Sequence, residues 1–138
     1  MPARDLFHTA ILAALRKEEW TITADPLVVQ IGGVDLYIDL GAEKIFAAQK
    51  DNRFIAVEIK SFIGPSVVAD FHVAIGQFLN YRLALELHEP QREMYLAVPV
   101  DTFVTFFQLP FAQLVIQRNQ IRLIVYDAEL QEILQWIP

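Results

Sequence analysis

The sequence has 138 residues, of which 54% are hydrophobic and 12% aromatic, and this composition excludes a disordered chain and indicates a single domain over residues 1–138. It contains no cysteine, which excludes a disulfide framework and a thiolate metal site, and its formal net charge of −6 argues against a dedicated, strongly basic nucleic-acid binder. No apolar run approaches the roughly 20 residues that a membrane-spanning helix needs, so we expect a cytoplasmic protein that does not enter a membrane. The high apolar content also predicts a surface that contacts another subunit, in a homodimer or a hetero-complex.

The first part of the chain predicts one helix followed by extended segments. Residues 5–19 place apolar side chains at helical spacing among alanines, which are good helix formers. A strand is predicted to begin at Trp20 and to reach a turn at Asp25. After a second extended segment, the Gly32-Gly33 pair predicts a sharp change of direction.

Residues 34–60 form the centre of the chain and predict a meander of strands. A hairpin turn at residues 50–53 would bring the last two strands alongside each other. Because side chains alternate between the two faces of a strand, Glu58 and Lys60 share one face of the last strand. An acidic residue on a neighbouring strand, such as Asp39, would then lie beside them.

The second half of the chain predicts alternating helices and strands. Ser66 is the predicted N-cap of a long helix that reaches about residue 89, and residues 94–98 form an apolar run typical of a strand buried on both faces. The last predicted elements are a short helix capped by Asp101 and reaching residue 107, a helix from Pro110 to about residue 119, and strands at residues 121–126 and 132–137. The predicted class is a mixed α/β (α+β) fold: helix, three-strand meander, helix and strand, followed by helical and β-hairpin additions.

Asp39, Glu58 and Lys60 predict a site for a hard divalent cation. Two converging carboxylates are the oxygen ligands that Mg²⁺ prefers, and a bound Mg²⁺ lowers the pKa of a water and polarises a phosphate. A nearby lysine would orient that water or neutralise charge that grows on the phosphate. The competing interpretation is an ion-pair ladder of Glu58 and Lys60 on a hydrated sheet face. Glu-x-Lys is common in strands, so the spacing alone favours the ladder.

Gln77 and Tyr81 lie four residues apart in the long helix and therefore share one of its faces. Gln77 would hydrogen-bond a nucleophilic water or a phosphate, and Tyr81 would orient the lysine or contact the DNA backbone. The alternative is a polar stripe on an exposed helix face, although the apolar neighbours of Gln77 indicate a partly buried position.

Other acidic and histidine side chains are secondary candidates. Asp35 and Glu43 are rivals to Asp39 as the first metal ligand, in that order of preference. Asp5 and His8 share one face of the first helix and would reach the rim of a metal site, although a lone histidine on an apolar helix is more often a packing residue. The sequence contains no nucleophile elbow, P-loop or dinucleotide-binding glycine motif.

The element order, together with Asp39, Glu58-x-Lys60 and Gln77-x-x-x-Tyr81, resembles the PD-(D/E)xK nuclease superfamily. This resemblance implies a restriction-endonuclease-like αβββαβ core with a central mixed sheet flanked by helices. It implies that Asp39 and Glu58 are metal ligands, Lys60 the catalytic lysine and Gln77 a supporting residue in Mg²⁺- or Mn²⁺-dependent cleavage of DNA phosphodiesters. The chain departs from the superfamily pattern in having no proline before Asp39.

The chain is also similar to the XisH family along essentially its whole length, in the segments MPARDLFHTA, EEWTITADP, YIDLGAEK, IAVEIKSF, GQFLNYR, YLAVP and QWIP. This similarity implies a controlling factor for excision of the fdxN DNA element during heterocyst differentiation in cyanobacteria. The implied partners are DNA, a separate recombinase and an XisI-like companion protein. The alternative function is a non-catalytic regulatory or assembly protein that keeps a nuclease-like fold and binds a partner of the excision machinery.

Overall fold

A six-stranded mixed sheet forms the centre of the fold in the computed structural model, which describes residues 3–36 and 45–138. In chain order the described elements are α1 (Ala3–Lys17), β1 (Thr21–Ala24), β2 (Val29–Ile31), β3 (Val34–Leu36), β4 (Ile45–Lys50), β5 (Arg53–Ile59), α2 (Val67–His88), β6 (Arg92–Pro99), α3 (Val100–Val104), a 3₁₀ turn (Phe106–Gln108), α4 (Pro110–Arg118), β7 (Arg122–Asp127) and β8 (Glu132–Ile137). The sheet has the strand order β1-β4-β5-β6-β7-β8, in which the β5–β6 and β6–β7 pairs are parallel and the other pairs antiparallel. The predicted mixed α/β class is confirmed.

The hairpin between β4 and β5 has the predicted turn. Lys50 and Arg53 are register partners, so Asp51 and Asn52 form a two-residue loop. Asp51 has a φ of 55°, a left-handed conformation that aspartate tolerates better than most residues and that two-residue hairpin loops favour. This turn fixes the register of β5, which carries Glu58.

The prediction of one continuous meander over residues 34–60 is wrong for its first strand. In the described part of the chain β3 pairs with β2, and together they form a separate two-stranded sheet that turns at Gly32 and Gly33. The glycines have φ values of 55° and 83°, which explains why glycine suits both positions. β1 takes the place beside β4, with Thr21 opposite Gln49. Alternation within a strand determines its faces but not its partner, so the sequence pattern does not distinguish these pairings.

The sheet is covered by a helix on each face. α1 packs on the face formed by the odd-numbered residues of β5, and α2 packs on the face formed by its even-numbered residues. The α1 side contains, among others, Ile11, Leu15, Ile55, Val57, Ile59 and Tyr95. The α2 side contains, among others, Ala56, Phe71, Phe78, Leu96, Val98 and Phe107.

Helix α2 begins and ends as the sequence predicts. The Ser66 hydroxyl accepts a hydrogen bond from the backbone N–H of Ala69 at 3.1 Å, which is the usual N-cap contact. The helix ends at His88, two residues before Pro90. β6 follows with residues 94–99 buried, which confirms the prediction of a strand covered on both faces.

Near the C-terminus, one predicted detail is wrong. Asp101 does not cap α3, because the helix begins directly at Val100 and its N-cap position is Pro99. Pro110 occupies the first turn of α4, and β7 and β8 form the expected antiparallel pair. Among the described helices, none has the length and the apolar character needed to cross a membrane.

Candidate active site on the α2 face of the central strand

Glu58 lies near the carboxyl end of β5, a strand with neighbours on both sides. Its register partners are Ile45 of β4 and Leu96 of β6. The residue is 0% exposed, and both of its carboxylate oxygens are inaccessible to solvent. Glu58 has the same parity as Ala56 and therefore points to the face that α2 covers.

Lys60 follows the last residue of β5 and is also buried, at 6% exposure. A lysine is almost never this buried without a specific reason, because removing the ammonium from water is costly. With Glu58 fully buried as well, an ion-pair ladder on a hydrated sheet face does not describe this strand. The sequence alone favours that ladder, and the structure does not.

The chain after Lys60 is held in a defined conformation. Phe62 is buried, and its ring meets the edge of Phe107 with centroids 5.4 Å apart. Its φ of 59° is unusual for a bulky residue and costs on the order of 1–3 kcal/mol. A strained residue of this kind persists only where the surrounding structure holds it, and here it lies two residues after Lys60.

The loop between β5 and α2 is fixed by a second contact. The backbone N–H of Gly64 donates a hydrogen bond to Oδ2 of Asp70 at 3.0 Å. A Cβ atom at position 64 would lie 2.8 Å from the same oxygen, so a larger residue there would force the Asp70 carboxylate to move. This contact joins the loop that carries Lys60 to the first turn of α2.

Gln77 and Tyr81 lie on α2, the helix that covers the Glu58 face of the sheet. Gln77 is half-buried, which agrees with the position predicted from its apolar neighbours, and Tyr81 is buried in the α2-side core. The helix therefore places both side chains on the same side of the sheet as Glu58.

The remaining predicted metal ligands fall partly outside the described residues. Asp39 and Glu43 lie outside them, and of Asp35 only the backbone is described, opposite Gln30 in the β2–β3 pair. Residues 37–44 connect β3 to Ile45, the residue beside Glu58. Within residues 3–36 and 45–138, no group of three metal-ligating side chains comes together.

His8 pairs with a turn residue. Its Nε2 lies 2.9 Å from Oδ2 of Asp25, and α1 covers the sheet face opposite to Glu58. The side chain of Asp5, also on α1, lies outside the described part of the chain. His72 and His88 are exposed on α2.

Sequence reasoning misses an aromatic cluster at the other end of β5. The Trp20 and Trp136 rings stack with centroids 5.5 Å apart, and Tyr95 meets Trp136 edge-on at 5.2 Å. The Arg53 guanidinium carbon lies 5.6 Å from the centre of the Trp20 ring. These four residues come from four separate segments of the chain, so no local sequence pattern predicts that they cluster. A weak signal is the rarity of tryptophan, since the chain has two.

A carboxylate organises the polar side of this aromatic cluster. Nη2 of Arg53 lies 3.3 Å from Oε2 of Glu93 and 3.4 Å from the Tyr95 hydroxyl. Burial raises the pKa of the Tyr95 phenol; the Glu93 charge acts in the same direction, while Arg53 opposes it. The phenol therefore remains a neutral hydrogen-bonding group beyond its ordinary range of pH.

These observations define a mixed α/β protein in which a glutamate is buried near the carboxyl end of a central strand, on the face that a long helix covers, and a buried lysine follows directly after that strand. The chain belongs to the XisH family, since the model of that family, XisH protein, matches residues 1–134. The family resemblance inferred from the sequence is confirmed.

Two solved structures support this membership. The chain is similar to an XisH family protein from Nostoc punctiforme, with 46% identity and a TM-score of 0.91, over 97% of this chain and 100% of that chain. It is also similar to an fdxN element excision controlling factor protein from Anabaena variabilis, with 47% identity and a TM-score of 0.90, over 97% of this chain and 99% of that chain. Among curated proteins, no match is found.

Proposed function

We propose that this chain is an fdxN element excision controlling factor that acts in programmed DNA excision during heterocyst differentiation through a Mg²⁺-dependent nuclease site of the PD-(D/E)xK type. The observation that carries the proposal is the burial of Glu58 and Lys60, at 0% and 6% exposure, at the end of one strand. Two buried ionisable residues are costly to fold, and such clusters are concentrated at functional sites.

The order of elements supports the proposed restriction-endonuclease-like core. Helix α1 is followed by the strands β1, β4 and β5, each antiparallel to its neighbour in the sheet. Helix α2 and then strand β6, which is parallel to β5, complete the series. This is the αβββαβ order, with the β2–β3 hairpin inserted after the first strand.

The donor chemistry of this end of the sheet fits a hard cation. Glu58 supplies carboxylate oxygens, and Asp39 and Glu43 precede Ile45, the register partner of Glu58, in the sequence. We assign Glu58 and Asp39 as ligands of Mg²⁺, with Mn²⁺ as a substitute and with Asp35 or Glu43 as the alternative to Asp39. When bound, the cation lowers the pKa of a water and polarises the scissile phosphate.

Side chains of the protein bind the phosphate and the attacking water and supply a positive charge near them. The Lys60 ammonium, held in a water-poor environment, stabilises negative charge that develops on the phosphate more strongly than it would in water. The Gln77 amide orients the attacking water or a phosphate oxygen, and Tyr81, one turn further along the same helix face, orients the lysine or contacts the DNA backbone. Asp5 and His8 remain supporting candidates at most, because α1 covers the opposite face.

The test is a DNA cleavage assay with Mg²⁺ or Mn²⁺, carried out with the chain alone and together with an XisI-like protein and a recombinase. We expect Glu58→Gln and Lys60→Met to abolish cleavage while circular dichroism shows an intact fold. The matched controls are Glu86→Gln on the exposed side of α2 and Lys17→Met at the end of α1, which should cut normally. Cleavage that persists in the Glu58 and Lys60 variants would exclude this site.

A second candidate function is a non-catalytic one, in which the fold binds another subunit. The observation that favours it is an apolar stripe on the outer face of α2, where Val73, Leu83 and Leu87 are 47%, 52% and 63% exposed. Gly76 and Asn80 complete the stripe at helical spacing, and a Cβ at Gly76 would meet nothing within 4 Å.

The occupant of this α2 stripe is proposed to be a second copy of the chain. The stripe carries no charged residue, so two copies with a net charge of −6 each can meet there without bringing like charges together. Light scattering should report a dimer that Leu83→Arg converts to a monomer, whereas Val104→Arg, at an exposed site on α3, should leave it intact. A wild-type monomer at high concentration would contradict the homodimer.

The two functions are separated by complementation. If the chain is non-catalytic, the double variant Glu58→Gln/Lys60→Met still supports excision of the element in cells. If the proposed site is the functional one, that variant fails while Leu83→Arg retains cleavage by the purified protein.

A further inference from the structure

A cleft of about 350 Å³ opens at the end of the sheet away from Glu58, and the function proposed above does not use it. It is lined by Glu18, Trp20, Lys50, Asp51, Arg53, Tyr95, Trp136 and Pro138. Arg53 is the first residue of β5 and Glu58 the sixth, so the two ends are about 17 Å apart along the strand. The volume lies within the range of small-ligand sites.

Two cations form one side of the cleft. Lys50 and Arg53 face each other as register partners across the β4–β5 turn. Only Nη2 of Arg53 is engaged by described residues, through Glu93 and Tyr95, so its remaining N–H groups are available to an anion. The Arg53 side chain is 52% exposed, and a ligand can therefore reach it.

Aromatic rings form the floor of the cleft. Trp20 and Tyr95 are buried, and the half-buried Trp136 contacts both of them. The contacts fix the rings, so a planar ligand gains stacking area without ordering flexible side chains. The Arg53 guanidinium, already held against Trp20, provides a second planar surface.

Two carboxylates of the lining, those of Glu18 and Asp51, can accept hydrogen bonds from a ligand. Oε1 of Glu18 accepts the Trp136 indole N–H at 3.1 Å, and Glu18 is one of the residues that line the cleft. Asp51 lies in the adjacent turn. A ligand that suits all three sides has an anionic group, a planar ring and N–H donors on the ring edge.

We propose that this cleft binds one nucleotide unit of a nucleic acid, with the phosphate on Lys50 and Arg53 and the base stacked against Arg53 and Trp136. A cationic ligand such as a quaternary ammonium suits the cleft less well, because Arg53 already occupies the Trp20 ring and would repel it. The proposal does not depend on catalysis at Glu58, since the two sites lie at opposite ends of β5. It adds a contact that would hold a strand away from the scissile bond.

Tryptophan fluorescence tests this proposal directly, because the chain has two tryptophans and both line the cleft. The probes are the four deoxynucleoside 5′-monophosphates, the dinucleotide of thymidine, inorganic phosphate and tetramethylammonium, with calorimetry as a second readout. We expect saturable binding of the nucleotides that weakens as salt is raised, and a much weaker response to phosphate alone.

Variants assign the response to the cleft. Arg53→Gln and Lys50→Gln should each weaken nucleotide binding by about tenfold, and Arg118→Gln on α4 should not change it. Glu58→Gln should bind nucleotides like the wild type, so a failure of the nuclease proposal leaves this one standing. Equal binding by the wild type and by both cleft variants would overturn the proposal, as would saturation by tetramethylammonium and not by nucleotides.

Discussion

Glu58 lies opposite Leu96 in the parallel ladder between β5 and β6, in a rung that continues through Leu123 of β7. Both leucines are buried, so the carboxylate lies in a row that is otherwise suited to apolar side chains. A protein selected only for stability would place an aliphatic residue there. On the function proposed above, the charge of Glu58 is kept at this buried position because the metal site requires a carboxylate.

The first prediction follows from the free-energy cost of burying the charges of Glu58 and Lys60. Replacing both buried charged residues in the double variant Glu58→Leu/Lys60→Met should stabilise the fold by about 1–4 kcal/mol, because apolar side chains of similar volume avoid the desolvation penalty. The measurement is urea unfolding of the double variant and of the wild type, with divalent-metal-dependent DNA cleavage measured in parallel. Loss of activity with a gain in stability is the expected combination.

The opposite combination has a different meaning. If the double variant is less stable than the wild type, Glu58 and Lys60 are structural, and the burial argument for a nuclease site is lost. The control is Glu86→Leu on the exposed side of α2, whose stability should change by less than about 0.5 kcal/mol.

The second prediction concerns Gln77, which lies half-buried on the helix that covers the Glu58 face. Gln77→Ala should lower the cleavage rate by about 10²-fold, because one hydrogen-bond donor at the reacting phosphate or water is removed. Asn80→Ala, three residues further along on the exposed side of α2, should cut like the wild type. Equal losses in both variants would indicate a general effect on the helix.

Much of the region around the candidate site could be predicted because its signals are local. The N-cap at Ser66, the turn at residues 50–53 and the alternation that determines the face of Glu58 within β5 each depend on a few consecutive residues. The buried strand β6 could be predicted for the same reason, since its apolar run is continuous in the sequence.

The parts that could not be predicted depend on contacts between distant segments. β3 could not be assigned to a separate hairpin, because nothing in its own residues excludes pairing with β4. The burial of Lys60 could not be predicted either, because the residues around it in the sequence do not determine how the tertiary fold covers it. The cleft at Arg53 requires the packing of segments more than 80 residues apart, such as those of Arg53 and Trp136.

The third prediction tests the loop that follows Lys60. Gly64→Ala would push its Cβ against the Asp70 carboxylate, and Asp70→Ala would remove the acceptor of the Gly64 N–H. Each change should cost about 1–2 kcal/mol in the free energy of unfolding. Because both act on one contact, the double variant should cost less than the sum of the two single variants.

The double-mutant cycle for Gly64 and Asp70 also has a functional readout. Loosening the loop should lower DNA cleavage by repositioning Lys60, while nucleotide binding at the Arg53 cleft stays unchanged. Strict additivity of the two unfolding free energies would show that positions 64 and 70 are not coupled through this contact.

The fourth prediction is a dependence of stability on alkaline pH that arises from Tyr95. Burial raises the pKa of its phenol above the ordinary value of 10.0, so above that pH the unfolded chain loses this proton before the folded chain does. The contribution of the neutral Tyr95 phenol to the free energy of unfolding is thus fully present below pH 10.0, and it is lost as the pH rises through the pKa of Tyr95 in the folded chain. Tyr95→Phe keeps the ring against Trp136 and removes the titrating group. Urea midpoints followed by tryptophan fluorescence should fall more steeply above pH 10.0 in the wild type than in Tyr95→Phe; parallel curves would show that Tyr95 does not titrate with folding.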